Sequence, residues 1–192
     1  MTAPAPDLWV FGYGSLLWNP GIEVAETRRA SLAGYRRSFC MWSIHHRGSE
    51  DEPGLVLALE EAPGERCHGI AFRAADPEPA LRYLRDRELV SAAYHEARVT
   101  LDADDGGAID GLAYVVDADH AQYARGLPLE RQAQVIAAAT GGRGPNHEYL
   151  TRTAEGLIAL GIPDTEIDWL VARVQQIRAL RNRPLVRSGA KG

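Results

Sequence analysis

Tyr94-His95-Glu96-Ala97-Arg98-Val99-Thr100-Leu101 and Ile109-Asp110-Gly111-Leu112-Ala113-Tyr114-Val115-Val116 are the two runs whose reading decides the fold. Both carry the β-branched and aromatic residues of strands. Between them stands Asp102-Ala103-Asp104-Asp105-Gly106-Gly107, whose Asp-Gly step signals a hairpin. A hairpin joins antiparallel strands. Toward the N-terminus the same texture recurs in Leu8 to Phe11, Leu32 to Trp42, Leu55 to Leu59 and Cys67 to Phe72. The first of these is apolar throughout and stops at Gly12, as a buried strand does. Glu60-Glu61-Ala62-Pro63-Gly64-Glu65 carries a Pro-Gly step and reads as the turn of a second hairpin. Pro77 to Val90 reads as a helix, with Asp76 as N-cap and Pro77 at its first position.

Beyond residue 118 the pattern changes to helical periods over Leu129 to Ala139, Pro145 to Leu160 (closed by Gly161) and Asp164 to Leu180. In the last of these, Ile167, Leu170, Val171, Val174, Ile177 and Leu180 recur every three or four residues and predict one apolar face. Strands first and helices afterwards, without a βαβ rhythm, make the class α+β rather than doubly wound.

The 192 residues fit one domain at about 150 residues per domain, with an ordered core expected over about 8–182 and short flexible ends, including 188–192. The net charge of −5 is spread along the chain and lacks the basic stripe of a nucleic-acid binder. No apolar run reaches membrane-spanning length, and Met1-Thr2-Ala3-Pro4-Ala5-Pro6 has no export signature, so a cytoplasmic protein is expected. Cys40 and Cys67 are too few and too far apart for a disulfide framework or a zinc site, and read as small buried hydrophobes.

Chemistry concentrates in few places. Phe11-Gly12-Tyr13-Gly14-Ser15-Leu16-Leu17 follows the first strand directly. Its two glycines allow either a strand-end bulge or a nest of converging backbone N–H groups. It lacks the third glycine of a dinucleotide loop and is not a Gly-x-Ser-x-Gly elbow. Glu88 shares a helical face with Leu81 and Leu84, where an apolar residue is expected. It is either a desolvated carboxyl suited to proton transfer or a charge at a frayed helix end, paired with Arg85 or solvated. Asp86 and the arginines around it read as a solvated face. His45-His46-Arg47-Gly48 holds no metal-ligand spacing. Arg47 suits a substrate carboxylate or a surface salt bridge, and Tyr149, in Asn146-His147-Glu148-Tyr149-Leu150, is a core aromatic or a pocket hydroxyl.

Taken together, these stretches resemble the ChaC family of γ-glutamylcyclotransferases, from about Leu8 to Leu180. The resemblance runs through Trp9-Val10-Phe11-Gly12-Tyr13-Gly14-Ser15-Leu16-Leu17-Trp18-Asn19-Pro20, His46-Arg47-Gly48, Pro53 to Leu59, Gly69-Ile70-Ala71-Phe72-Arg73, Arg87-Glu88 and Asn146 to Leu150. Arg37-Ser38-Phe39-Cys40 and Arg131 to Ala139 are similar to the bacterial branch. The resemblance implies a small mixed β-barrel with flanking helices and cleavage of glutathione into 5-oxoproline and cysteinylglycine. It also implies no metal and no cofactor. It puts the γ-glutamyl group at Gly12, Tyr13, Gly14, Ser15, Leu16 and Leu17 and the acid–base role on Glu88. Related readings are cyclisation of other γ-glutamyl amino acids or amines, and a non-catalytic glutathione-binding regulatory module. The oligomeric state stays open. Many members place a tyrosine four residues after the glutamate, whereas here Tyr94 stands six residues on, which leaves its role open.

Overall fold

The computed structural model describes residues 7–89 and 92–181. Elements run in the order β1 (Trp9–Gly12), a 3₁₀ turn (Ser15–Leu17), β2 (Val24–Ser43), β3 (Gly54–Ala74), α1 (Pro77–Glu88), β4 (Tyr94–Ala103) and β5 (Ala108–Val116). They continue with α2 (Leu129–Ala138), β6 (Thr140–Gly141), β7 (Gly144–Pro145), α3 (Asn146–Ala159) and α4 (Thr165–Arg181). The Asp-Gly hairpin forms as expected. Gly106 and Gly107 take φ of +94° and +99°, conformations closed to most residues, and β4 pairs with β5 from Tyr94↔Val116 to Asp102↔Ala108.

The five long strands close into a barrel of order β1-β3-β2-β4-β5. Its seam is a parallel contact between Val10 and Leu112, and β3 meets β5 in parallel at Leu59↔Val115; the other pairs are antiparallel. A mixed barrel of this kind leaves no open edge where it closes.

One expected hairpin is corrected. Leu55 to Leu59 and Cys67 to Phe72 are the two halves of a single strand, β3, and both pair with β2. Between the pairs Ala33↔Arg66 and Tyr35↔Glu61, residues 62–65 stand opposite Gly34 alone. Pro63-Gly64 therefore makes a bulge, with Gly64 at φ +90° and Gly34 facing it at +81°. A turn and a bulge use the same residues, and only the length of the partner strand separates them. That partner begins at Val24, eight residues before the expected start. Its first turnings inward are Glu26 and Arg28, which pair with each other at 3.2 Å, while Glu26 also pairs with Arg73 at 3.1 Å. These charges hide the apolar alternation of a strand.

Alternation along the strands builds two cores. Phe11, Leu59, Leu101, Ala113 and Val115 point into the barrel, while Val10, Leu57 and Tyr114 point out beneath the helices. Asn146 ties helix to barrel: it is fully buried, its Oδ1 accepts from Leu55 N and its Nδ2 donates to Leu55 O, each at 2.7 Å. This side chain replaces a neighbouring strand at that point of β3. At the other end of α3, Gly161 takes φ +63° and stops the helix. Asp164 Oδ1 accepts from Ile167 N at 3.1 Å and caps α4. Ile167, Leu170 and Val174 are buried, with Val171 and Ile177 packed beside them, but Leu180 is 63% exposed at the far end of α4. Asp76 stands at the N-cap position of α1 in extended conformation, yet its side chain makes no capping bond. The expected helix end at Val90 and the tail 188–192 lie outside the described residues.

Candidate active site

β1 ends at Gly12, where a side chain has no room: a Cβ would approach Phe72 Cε2 to 2.5 Å. The chain then turns through Tyr13 and Gly14 into the 3₁₀ turn, closed by Leu17 N to Gly14 O and Asn19 N to Ser15 O, both 2.9 Å. No side chain caps this turn, so its leading N–H groups are not satisfied within it. Leu16 and Leu17 bury their side chains and anchor the turn to the core. Tyr13 also turns inward, donating its hydroxyl to Tyr114 O at 2.8 Å, and its own carbonyl accepts from Arg37 Nη1 at 2.5 Å. Among the predicted loop residues, Ser15 alone is not buried. A Cβ on Gly14 would lie 3.5 Å from Leu57 Cβ and 3.7 Å from the Tyr149 hydroxyl, in ordinary contact with both.

Glu88 is the last residue of α1, and its side chain is 18% exposed. Leu84, one turn before it on the same face, is fully buried, which is the phase the sequence requires. Burial pushes the Glu88 carboxyl above the usual carboxylate range, and Arg87, with Nε 3.0 Å from Oε1, pulls against that rise. Arg85 is not its partner, because both ends of the Arg85 guanidinium are taken by Glu96 at 2.9 and 2.8 Å.

Phenols surround the carboxylate. Tyr13, Tyr94, Tyr114 and Tyr149 all have raised pKa values, first from burial and further from the Glu88 charge; Tyr149 is pushed up to about 12. All four are neutral hydrogen-bonding groups at physiological pH. Tyr94 donates to Leu57 O at 3.2 Å. Tyr149 is a core aromatic. Its ring meets Phe39 edge-on at 5.9 Å and Trp18 at 6.5 Å, while its hydroxyl lies beside Gly14.

Arg47 is 7% exposed, stacks over the Tyr149 ring at 5.6 Å and donates from Nη1 to Arg143 O at 2.7 Å. It is not a solvated loop arginine. Among the described residues it makes no ion pair with a carboxylate.

Arg87 is a further correction, since the sequence places it on a solvated face. Its Nη2 donates to Ser15 Oγ at 3.0 Å and its Nη1 to Asn19 O at 2.7 Å. Nothing in a helical pattern flags this, because neighbours on a helix point about 100° apart. A separate cleft of about 650 Å³ between α1, β4 and β5, lined by Trp9, Leu81 and Leu112 among others, includes neither Glu88 nor the glycine turn.

A closed five-stranded barrel, a glycine turn at the end of its first strand and a mostly buried carboxyl joined to that turn through Arg87 go with a barrel of the γ-glutamylcyclotransferase type. The ChaC-like family matches residues 8–177, and the chain belongs to that family. It is 36% identical over 174 residues to the glutathione-specific γ-glutamylcyclotransferase of Escherichia coli K12, covering 90% of this chain and 74% of that protein. It is 35% identical over 175 residues to the human glutathione-specific γ-glutamylcyclotransferase 1, covering 88% and 78%. The crystal structure of the yeast γ-glutamyl cyclotransferase specific to glutathione superposes with a TM-score of 0.83 at 20% identity, over 93% of this chain and all of that one.

Proposed function

We propose that this chain cleaves glutathione to 5-oxoproline and cysteinylglycine, the γ-glutamyl α-amine attacking its own γ-carbonyl while Glu88 moves the protons. The observation that carries the reading is Glu88 itself: an ionisable carboxyl held in a mostly buried site and joined through Arg87 to Ser15 of the glycine turn. The names of the curated relatives support the choice of substrate.

The substrate brings its nucleophile with it, so the entropic part of the barrier reduces to holding the folded conformer. The amine arrives as an ammonium and cannot attack until a base takes a proton. Glu88 takes it, the α-nitrogen bonds to the γ-carbonyl carbon, and the bond from that carbon to the cysteinyl nitrogen breaks as the nitrogen receives a proton. Over the cycle two protons leave the α-nitrogen and two reach the cysteinyl nitrogen, so Glu88 ends ionised as it began. Proton transfer of this kind contributes about 10²- to 10⁴-fold in rate. The leading N–H groups of the turn from Gly12 to Leu17 receive the α-carboxylate or the developing oxyanion. Tyr149 walls the γ-glutamyl pocket beside Gly14.

Arg47 supports glutathione over a γ-glutamyl amine. A buried guanidinium without an acidic partner is costly, and a terminal carboxylate on the leaving half supplies that partner. The two unpaired thiols, Cys40 and Cys67, accord with the cytoplasm as its place of work. A panel of glutathione, γ-glutamyl dipeptides and γ-glutamyl amines, read out by 5-oxoproline release, tests the assignment. Glutathione is expected to turn over fastest; a preference for an amine would overturn it.

A further inference from the structure

We propose that Arg87 is a positioning residue that makes Glu88 a one-oxygen proton carrier, occupying Oε1 so that Oε2 alone takes the ammonium proton and returns it to the leaving nitrogen. The proposal rests on the acid–base reading of Glu88. The guanidinium donates from Nη2 to Ser15 Oγ and from Nη1 to Asn19 O, at 3.0 and 2.7 Å, while its Nε lies 3.0 Å from Glu88 Oε1 as an ion pair. Residues 87 and 88 are helical neighbours that do not ordinarily face one another, so the pair requires the arginine to reach around the end of α1. Two hydrogen bonds to the turn fix the plane of that arginine, and the ion pair holds its charge against one oxygen of the carboxylate.

Two consequences follow from the donor and acceptor inventory. An oxygen 3.0 Å from a cationic nitrogen is a poor place for a proton, which leaves Oε2 to carry it. Ser15 Oγ accepts from Arg87, so its own hydrogen is free to donate toward a ligand. One guanidinium thus sets both the base and a donor of the glycine turn, and holds the end of α1 and the 3₁₀ turn together.

The charge matters as well as the geometry. Arg87 on its own helix is the charge in contact with Glu88, and the phenols whose titration its charge raises are Tyr13 in the turn after β1, Tyr94 on β4, Tyr114 on β5 and Tyr149 on α3. The phenols are neutral across the working range, so Arg87 is the charge that opposes burial. Without it the base would be more protonated at neutral pH.

Arg87→Gln and Arg87→Lys test this by two readouts: the pH dependence of kcat/KM for glutathione, and the ¹³C titration of the Glu88 carboxyl in substrate-free protein, assigned with Glu88→Gln. For Arg87→Gln the Glu88 titration is expected to rise by about one unit. Activity falls by up to tenfold at pH values below the shifted titration and recovers as pH rises through it. Arg87→Lys keeps the charge but only a single-point donor, and is expected to fall between the two. A folded Arg87→Gln whose Glu88 titrates as in the wild type, or whose kcat/KM drops by one factor at every pH, overturns the proposal. Should Arg87→Gln not fold, an Arg87→Lys protein with unshifted titration and full activity does the same. If the wild type releases no 5-oxoproline, the acid–base reading fails, while the titration still decides the Arg87–Glu88 pairing.

Discussion

The guanidinium carbon of Arg47 sits over the Tyr149 ring, 5.6 Å from its centre, and the same tyrosine's hydroxyl lies beside Gly14. One aromatic side chain therefore touches both the glycine turn and a buried cation. Arg47→Gln is expected to raise KM for glutathione by roughly ten- to a hundredfold, the worth of a hydrogen-bonded charge contact. A γ-glutamyl amine, which lacks the carboxylate, should show no such change. Equal losses for both substrates in steady-state kinetics would place Arg47 in the scaffold alone, where its bond to Arg143 O already puts part of its role.

Gly12 and Gly14 should respond to a methyl group in opposite ways. Gly12→Ala drives Cβ into the Phe72 ring at 2.5 Å and is expected to destabilise the fold by about 1–3 kcal/mol in denaturant titration. Gly14→Ala has ordinary contacts around its Cβ and should fold normally, while narrowing the space between Leu57 and the Tyr149 hydroxyl. Its expected signature is a raised KM for glutathione. An unchanged KM and kcat would remove Gly14 from the binding turn.

Arg37 and Asp164 form a pair whose side chains are 5% and 18% exposed, with Nε 3.0 Å from Oδ2. Arg37 also donates to Tyr13 O and to His68 O, so the cap of α4 and the glycine turn share one guanidinium. Asp164→Ala removes the cap and leaves a buried cation unpaired. The expected loss is about 3–5 kcal/mol by urea unfolding. A loss under about 1 kcal/mol would show that water reaches Arg37 freely.

Glu88 also carries a stability prediction. Its folded-state pKa lies above the unfolded value, so the native state binds this proton the more tightly. That favourable contribution is complete below the unfolded pKa and is lost as pH rises through the folded one. Glu88→Gln, which cannot ionise, should therefore match the wild type in acid and exceed it in Tm at neutral pH. A variant less stable than the wild type at neutral pH would mean that the Arg87 pairing outweighs the burial of the charge.

How far the sequence reaches can be seen at particular residues. The hairpin around Gly106-Gly107 and the stop at Gly161 are legible because positive φ has few residue solutions. Glu88 is legible because a carboxyl interrupts an apolar helical stripe. Pro63-Gly64 misleads, since a bulge and a turn ask for the same residues, and the start of β2 hides behind inward Glu26 and Arg28 that satisfy one another. The inward turn of Tyr13, the reach of Arg87 and the bond from Tyr94 to Leu57 O depend on which surfaces meet in three dimensions. Local patterns do not encode that. Leu180 keeps the period of its helix but extends past the body it would pack on.

The central claim is that Glu88 moves the protons of a glutathione cyclisation. The most direct measurement incubates wild-type protein and Glu88→Gln with glutathione and quantifies 5-oxoproline and cysteinylglycine, with circular dichroism confirming that both are folded. The account predicts equimolar products from the wild type and a turnover lowered by about 10²- to 10⁴-fold in the variant. A folded Glu88→Gln that releases 5-oxoproline near the wild-type rate would contradict it.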